Sequence, residues 1–115
     1  MLTNHYREDR PWGYFERLTS NEPSTVKLLR VDAGKRLSLQ RHAKRDEYWR
    51  VLEGSGTAEV NGESRALLPG DSVEVPRGTW HRLSGGDAGL MLLEIALGAF
   101  DESDIERRED DFGRA

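Results

Sequence analysis

The chain reads as short apolar or alternating runs cut by glycine and proline, with almost no helical periodicity. Residues 25–32, TVKLLRVD, are β-branched and apolar and stop at Ala33-Gly34. RLSLQRH (36–42) alternates, with Leu37, Leu39 and Arg41 on one face and Arg36, Ser38, Gln40 and His42 on the other. EYWRVLEG (47–54) alternates again and puts Glu47, Trp49 and Val51 on a shared face. GTAEV and ESRAL flank Asn61-Gly62, a strong two-residue hairpin signal. Turns at 68–71 and 76–78 bracket SVEV, WHRLS (80–84) is a short strand, and 85–89 reads as a glycine loop. LMLLEIAL (90–97) is the most continuously apolar run and reads as a buried strand.

About eight short strands with Gly/Pro turns predict an all-β antiparallel sandwich or barrel of jelly-roll type. The one predicted helix is short, near Glu102 to Arg108, with Ser103 as its cap. The first residues, 1–9, read as a loose N-terminal arm and 10–115 as one domain, the size that 115 residues favour.

Composition narrows the chemistry. The chain has no cysteine, so a metal would rest on histidine, carboxylate or amide oxygen. No apolar run nears a bilayer span and no signal peptide is evident, so the expectation is a cytoplasmic protein with no membrane partner. A net charge of −4 argues against a nucleic-acid partner. The charge is uneven: 27–50 is basic and 101–111 is acidic. Either these are two solvated faces that attract each other, or the basic stretch rims a site for an anionic small molecule.

Gln40 and His42 lie two apart and point to one face. A hairpin over Ala43–Asp46 would bring the strand of Glu47 back beside them, and His81 opens another strand after a Pro/Gly turn. Two of only three histidines fall in this pattern. These four donors could converge on a divalent ion; otherwise they are ordinary polar strand residues.

The spacing resembles the two signature motifs of the cupin superfamily. The first is matched by Gly34, Gln40-x-His42, Glu47 and Gly54, with glutamine where most cupins carry the first histidine. The second is matched by Gly70, Pro76, Gly78 and His81, although Gly85 replaces a frequent asparagine. RPWG (10–13), SLQ-x-H (38–42), E-x-W (47–49), P-x-G-x-x-HRL (76–83) and FDESDI-x-R-x-EDDFGR (100–114) look like the cupin domain of type II mannose-6-phosphate isomerases. In that family the domain usually follows a sugar-nucleotide pyrophosphorylase domain.

The resemblance implies a double-stranded β-helix and a divalent metal, zinc first and manganese, cobalt, nickel or iron as alternatives. The implied ligands are Gln40, His42, Glu47 and His81. It also implies a sugar-phosphate substrate, interconversion of mannose 6-phosphate and fructose 6-phosphate, and a homodimer. The family is usually histidine-rich after the glutamine, whereas Ala43 and Lys44 follow His42 here.

For the catalytic roles, Lys44 with a lowered pKa, Arg45 as a stabiliser, or a hydroxide held at the metal are alternatives. The phosphate is expected to meet Arg36, Arg41, Lys44, Arg45 or Arg114, with Arg36 first because it shares the face of Gln40 and His42. Ser38, on that same face, is expected to support Gln40. Trp12, Trp49 and Trp80 read as core or interface anchors before sugar platforms. The acidic tail is expected to pack across the barrel or meet a neighbouring chain. Two other classes stay open: a non-catalytic module binding a sugar phosphate or sugar nucleotide, which the missing histidines favour, and, more weakly, an iron dioxygenase.

Overall fold

The computed structural model describes residues 2–115. They form nine strands: β1 (Tyr6–Arg10), β2 (Gly13–Arg17), β3 (Ser24–Val31), β4 (Leu39–Arg41), β5 (Arg45–Val60), β6 (Glu63–Leu67), β7 (Ser72–Val75), β8 (His81–Gly98) and β9 (Glu106–Glu109). Every pairing is antiparallel. Seven strands make one sheet that runs β6-β5-β8-β4-β9, with β3 also on β8 and β7 also on β5. The expected all-β jelly roll is thus the observed fold.

Two strands are longer than the sequence pattern suggests. β5 absorbs both EYWRVLEG and GTAEV, and β8 runs straight through the expected loop at 85–89. Glycine makes both continuations possible. The β5–β8 register shifts between Val51 and Glu53 and again between Gly54 and Gly56, which bends the pair as bulges do. Gly54 has φ 78°, and a Cβ on it would lie 2.1 Å from the carbonyl oxygen of Gly89. The Asn61-Gly62 hairpin forms as expected, with φ 52° and 81°, the paired positive values of a type I′ turn.

The core is one cluster that includes Val31, Trp49, Val51, Leu67, Val75, Leu83, Leu90 and Leu92. Fully burying each of the larger aliphatic side chains is worth about 1.5–3 kcal/mol. The core fills one end of the barrel and leaves polar inward positions of β4, β5 and β8 around a cavity.

Three expectations are corrected. Residues 6–10 are strand β1, paired with β2 in a separate two-stranded sheet, rather than loose arm. The hairpin docks when Glu16 of β2 accepts two hydrogen bonds from Arg50 of β5, at 2.9 and 3.1 Å. The helix at 102–108 is a turn followed by β9, because β4 offers an open edge. Ser103 donates its amide and hydroxyl to Asp101 Oδ1, closing a turn instead of capping a helix. Lastly, β4 and β5 are not a hairpin. β4 pairs β8 and β9, while β5 pairs β6, β7 and β8, so barrel closure brings Gln40 and Glu47 together. Among the described residues no helix is long and apolar enough to cross a membrane.

Candidate metal and substrate site

Strand register explains how the expected ligands meet. Gln40 on β4 is the direct cross-strand partner of His81, the first residue of β8. The turn before β8 is fixed by backbone hydrogen bonds from Gly78 N to His42 O (2.7 Å) and from Thr79 N to Pro76 O (3.2 Å). Glu47 enters from β5, with Trp49 two residues on, inside the barrel and edge-on to His81 at 5.6 Å between centroids.

His42, Glu47 and His81 are all buried and can place one ligand atom each within 4.8 Å of one another. Glu47 Oε2 lies 3.5 Å from His42 Nε2, and Oε1 lies 3.6 Å from His81 Nε2. Each imidazole is held by its other nitrogen. His42 Nδ1 donates to Asp104 O at 2.7 Å and His81 Nδ1 to Thr79 O at 2.9 Å, which leaves both Nε2 lone pairs facing the carboxylate. Among the described residues His81 Nε2 is buried with no hydrogen-bond partner, and burial lowers the pKa of this ring, keeping it a neutral donor.

Gln40 approaches the same point, its amide nitrogen 3.4 Å from His42 Nε2 and its oxygen accepting from Ser38 Oγ at 2.7 Å. Reversing the amide, whose two ends have the same shape, would turn the oxygen inward while the NH₂ donates to Ser38. Two imidazole Nε2 atoms, of which only that of His81 lacks a partner among the described residues, a carboxylate and an amide oxygen suit a divalent cation, so the residues present fit the implied metal.

Arg45 is buried beside this cluster. Its Nε donates to Glu47 Oε2 (3.1 Å), Nη1 to Asp101 O (3.1 Å) and Nη2 to His42 Nε2 (3.3 Å). The cluster opens on a cavity of about 250 Å³ whose lining also includes Lys27, Glu94, Glu102, Arg107 and Arg114.

The other sequence-expected residues scatter. Ser38 is fully buried and donates to Gln40. Arg114 lines the cavity but is tied to Asp110. Arg36 lies outside it, in a bidentate pair with Asp111 at 2.7 and 2.9 Å. Regular pairing of β4 begins only at Leu39, with a register shift before Gln40, so the alternation that placed Arg36 with Gln40 does not hold. Arg41 points outward to Glu106 and over the Trp80 ring. Lys44 is exposed and not part of the cavity lining; its backbone amide donates to Asp104.

Sequence reasoning missed Glu94. It sits on β8 across from Trp49, is 6% exposed and lines the cavity. Burial first, then the charge of Glu47, pushes its pKa up to about 7, while Lys27 and Arg45 pull the other way. The available signal was a lone carboxylate inside LMLLEIAL, where an unpaired charge is costly to bury. Arg107 was missed too, because a stretch read as helix gave no face to assign.

The fold and this buried cluster define a cupin. The structure aligns with a cupin protein from Bacteroides fragilis at TM-score 0.62 and 23% identity, over 66% of each chain. It aligns with a provisionally named sugar phosphate isomerase from Acidithiobacillus ferrooxidans at TM-score 0.60 and 27% identity, over 68% of this chain and 51% of that one. Within the class, the chain belongs to the mannose-6-phosphate isomerase C-terminal family, whose model matches residues 1–110. It is 36% identical over 112 residues to the mannose-1-phosphate guanylyltransferase ManC of Salmonella typhimurium, covering 96% of this chain and 23% of ManC. The chain spans about a quarter of the length of the curated relatives it matches.

Proposed function

We propose that this chain is a metal-dependent sugar-phosphate isomerase that interconverts mannose 6-phosphate and fructose 6-phosphate. The observation that carries this reading is the meeting of His42, Glu47 and His81 in one buried cluster, at a cavity that also holds a carboxylate with a pKa near 7. Gln40, His42, Glu47 and His81 would hold the ion. Such an ion, when bound, supplies Lewis-acid polarisation of the sugar oxygens at C1 and C2.

The rest of the chemistry falls to the chain. Glu94 takes the proton from C2 of the open aldose, leaving a cis-enediolate, and returns it at C1 while the hydroxyl proton passes from O2 to O1. A carboxylate poised near neutrality can act in both directions. Arg45, buried and positively charged, stabilises negative charge that develops on the sugar oxygens.

One observation favours a second reading, a non-catalytic sugar-phosphate binding module: the Arg45 guanidinium already bonds both His42 Nε2 and Glu47 Oε2. A coupled assay on metal-loaded protein separates the two. The isomerase reading expects turnover of mannose 6-phosphate that His42→Ala and His81→Ala abolish. Stabilisation by the sugar phosphate with no turnover above those variants would leave only the binding module.

A further inference from the structure

We infer that Arg107 anchors the phosphate of the substrate, forming a phosphomonoester site beside the His42–Glu47–His81 cluster. Arg107 lies on β9 directly across the ladder from Gln40, so its side chain shares the Gln40 face and lines the same cavity.

The cavity carries four basic side chains, and three are already engaged. Lys27 pairs with Glu102 at 2.5 Å, Arg45 with Glu47 at 3.1 Å, and Arg114 with Asp110 at 2.7 Å. Arg107 has no carboxylate partner among the described residues, and its Nε is buried without an acceptor. A guanidinium presents five N–H donors in a rigid fork that matches phosphate oxygens, and a buried donor without an acceptor is costly unless a ligand supplies one. The lining sets Lys27, Arg45, Arg107 and Arg114 against Glu47, Glu94 and Glu102, and with the other three cations already paired Arg107 is the one that remains to meet an anion. Arg36 and Arg41 are neutralised by Asp111 and Glu106 outside the cavity.

This inference rests on the reading of the cavity as a sugar-phosphate site but not on turnover, and its test keeps the two apart. Binding of mannose 6-phosphate, mannose and inorganic phosphate is measured by calorimetry on metal-loaded protein. The set is wild type, Arg107→Gln, Arg107→Lys and the outward-facing control Arg41→Gln, with metal content checked for each. Wild type is expected to bind mannose 6-phosphate and phosphate and to prefer both to mannose. Arg107→Gln is expected to weaken phosphate and mannose 6-phosphate about 10- to 100-fold, the scale of one charge-assisted contact, with metal content unchanged. Arg107→Lys should recover part of this and Arg41→Gln should match wild type.

If Arg107→Gln turns over substrate, KM should rise with kcat little changed. Phosphate affinity equal to wild type in Arg107→Gln overturns the inference, as does a wild type that does not distinguish mannose 6-phosphate from mannose. If Arg107→Gln fails to fold, Arg107→Lys carries the test, and phosphate affinity equal to wild type there overturns the inference, because an ammonium cannot reproduce the guanidinium fork. Arg107-dependent phosphate binding without isomerisation would sink the isomerase reading and leave this site standing.

Discussion

At the scale of single residues, the cluster is built by hydrogen bonds that aim each donor. Asp104 O and Thr79 O each take an Nδ1 proton, Ser38 holds Gln40, and Arg45 balances the charge of Glu47. The donors were legible in the sequence because the ligand spacing repeats a known pattern. Glu94 was not, because a strand buried on both faces reads as core throughout and conceals a single polar position.

Replacing Glu94 by glutamine keeps the shape and removes the titration. Turnover is expected to fall about 10²- to 10⁴-fold with metal content retained, the usual contribution of a positioned acid–base group. Deuterium uptake at C1 of fructose 6-phosphate from heavy water should fall in parallel. The raised pKa also links Glu94 to stability. Between 4.5 and about 7 the folded state keeps a proton that the unfolded chain has released. The group therefore favours folding below the unfolded value, and that contribution is lost as pH rises through about 7. In metal-free protein the Tm of Glu94→Gln should gain on wild type from pH 5 to pH 8. An unchanged difference across that range would contradict the assignment.

At the scale of elements, two long strands, β5 and β8, carry the architecture, and glycine bends let them do so. Their outlines were legible as four shorter strands. Their continuity was not, since glycine runs signal loops unless a partner strand holds them extended. β9 was misread for a related reason: 102–108 has local helix character, but the pairing edge of β4 outweighs propensity. Gly54→Ala tests the bend. Its Cβ would collide with the Gly89 carbonyl in a backbone that also has positive φ, so at least one strand must shift. The variant is expected to lose about 2–4 kcal/mol in urea unfolding, the range of an overpacked, strained site. A midpoint equal to wild type would mean that β5 does not turn there.

At the scale of the whole molecule, the uneven charge acquires a role. The acidic tail folds over the basic middle through Lys27–Glu102, Arg36–Asp111 and Arg41–Glu106, while Asp104 accepts the amides of Ala43 and Lys44. The tail thus neutralises Lys27, Arg36 and Arg41, sets the His42 ring and, among the described residues, leaves Arg107 without a carboxylate. The ion pairs bear out one sequence reading of that charge, that the two stretches attract each other. What the sequence pattern did not reveal was which arginines would be neutralised, since that depends on the register of β9 against β4.

The account turns on one cation held by side chains from β4, β5, β8 and the turn after β4. Elemental analysis of the purified wild type and of His42→Ala, Glu47→Gln and His81→Ala, each dialysed against limiting divalent metal, addresses it most directly. One ion per wild-type chain and substoichiometric metal in all three variants is the predicted result. Wild-type protein without bound metal, or variants that retain a full equivalent, would contradict it.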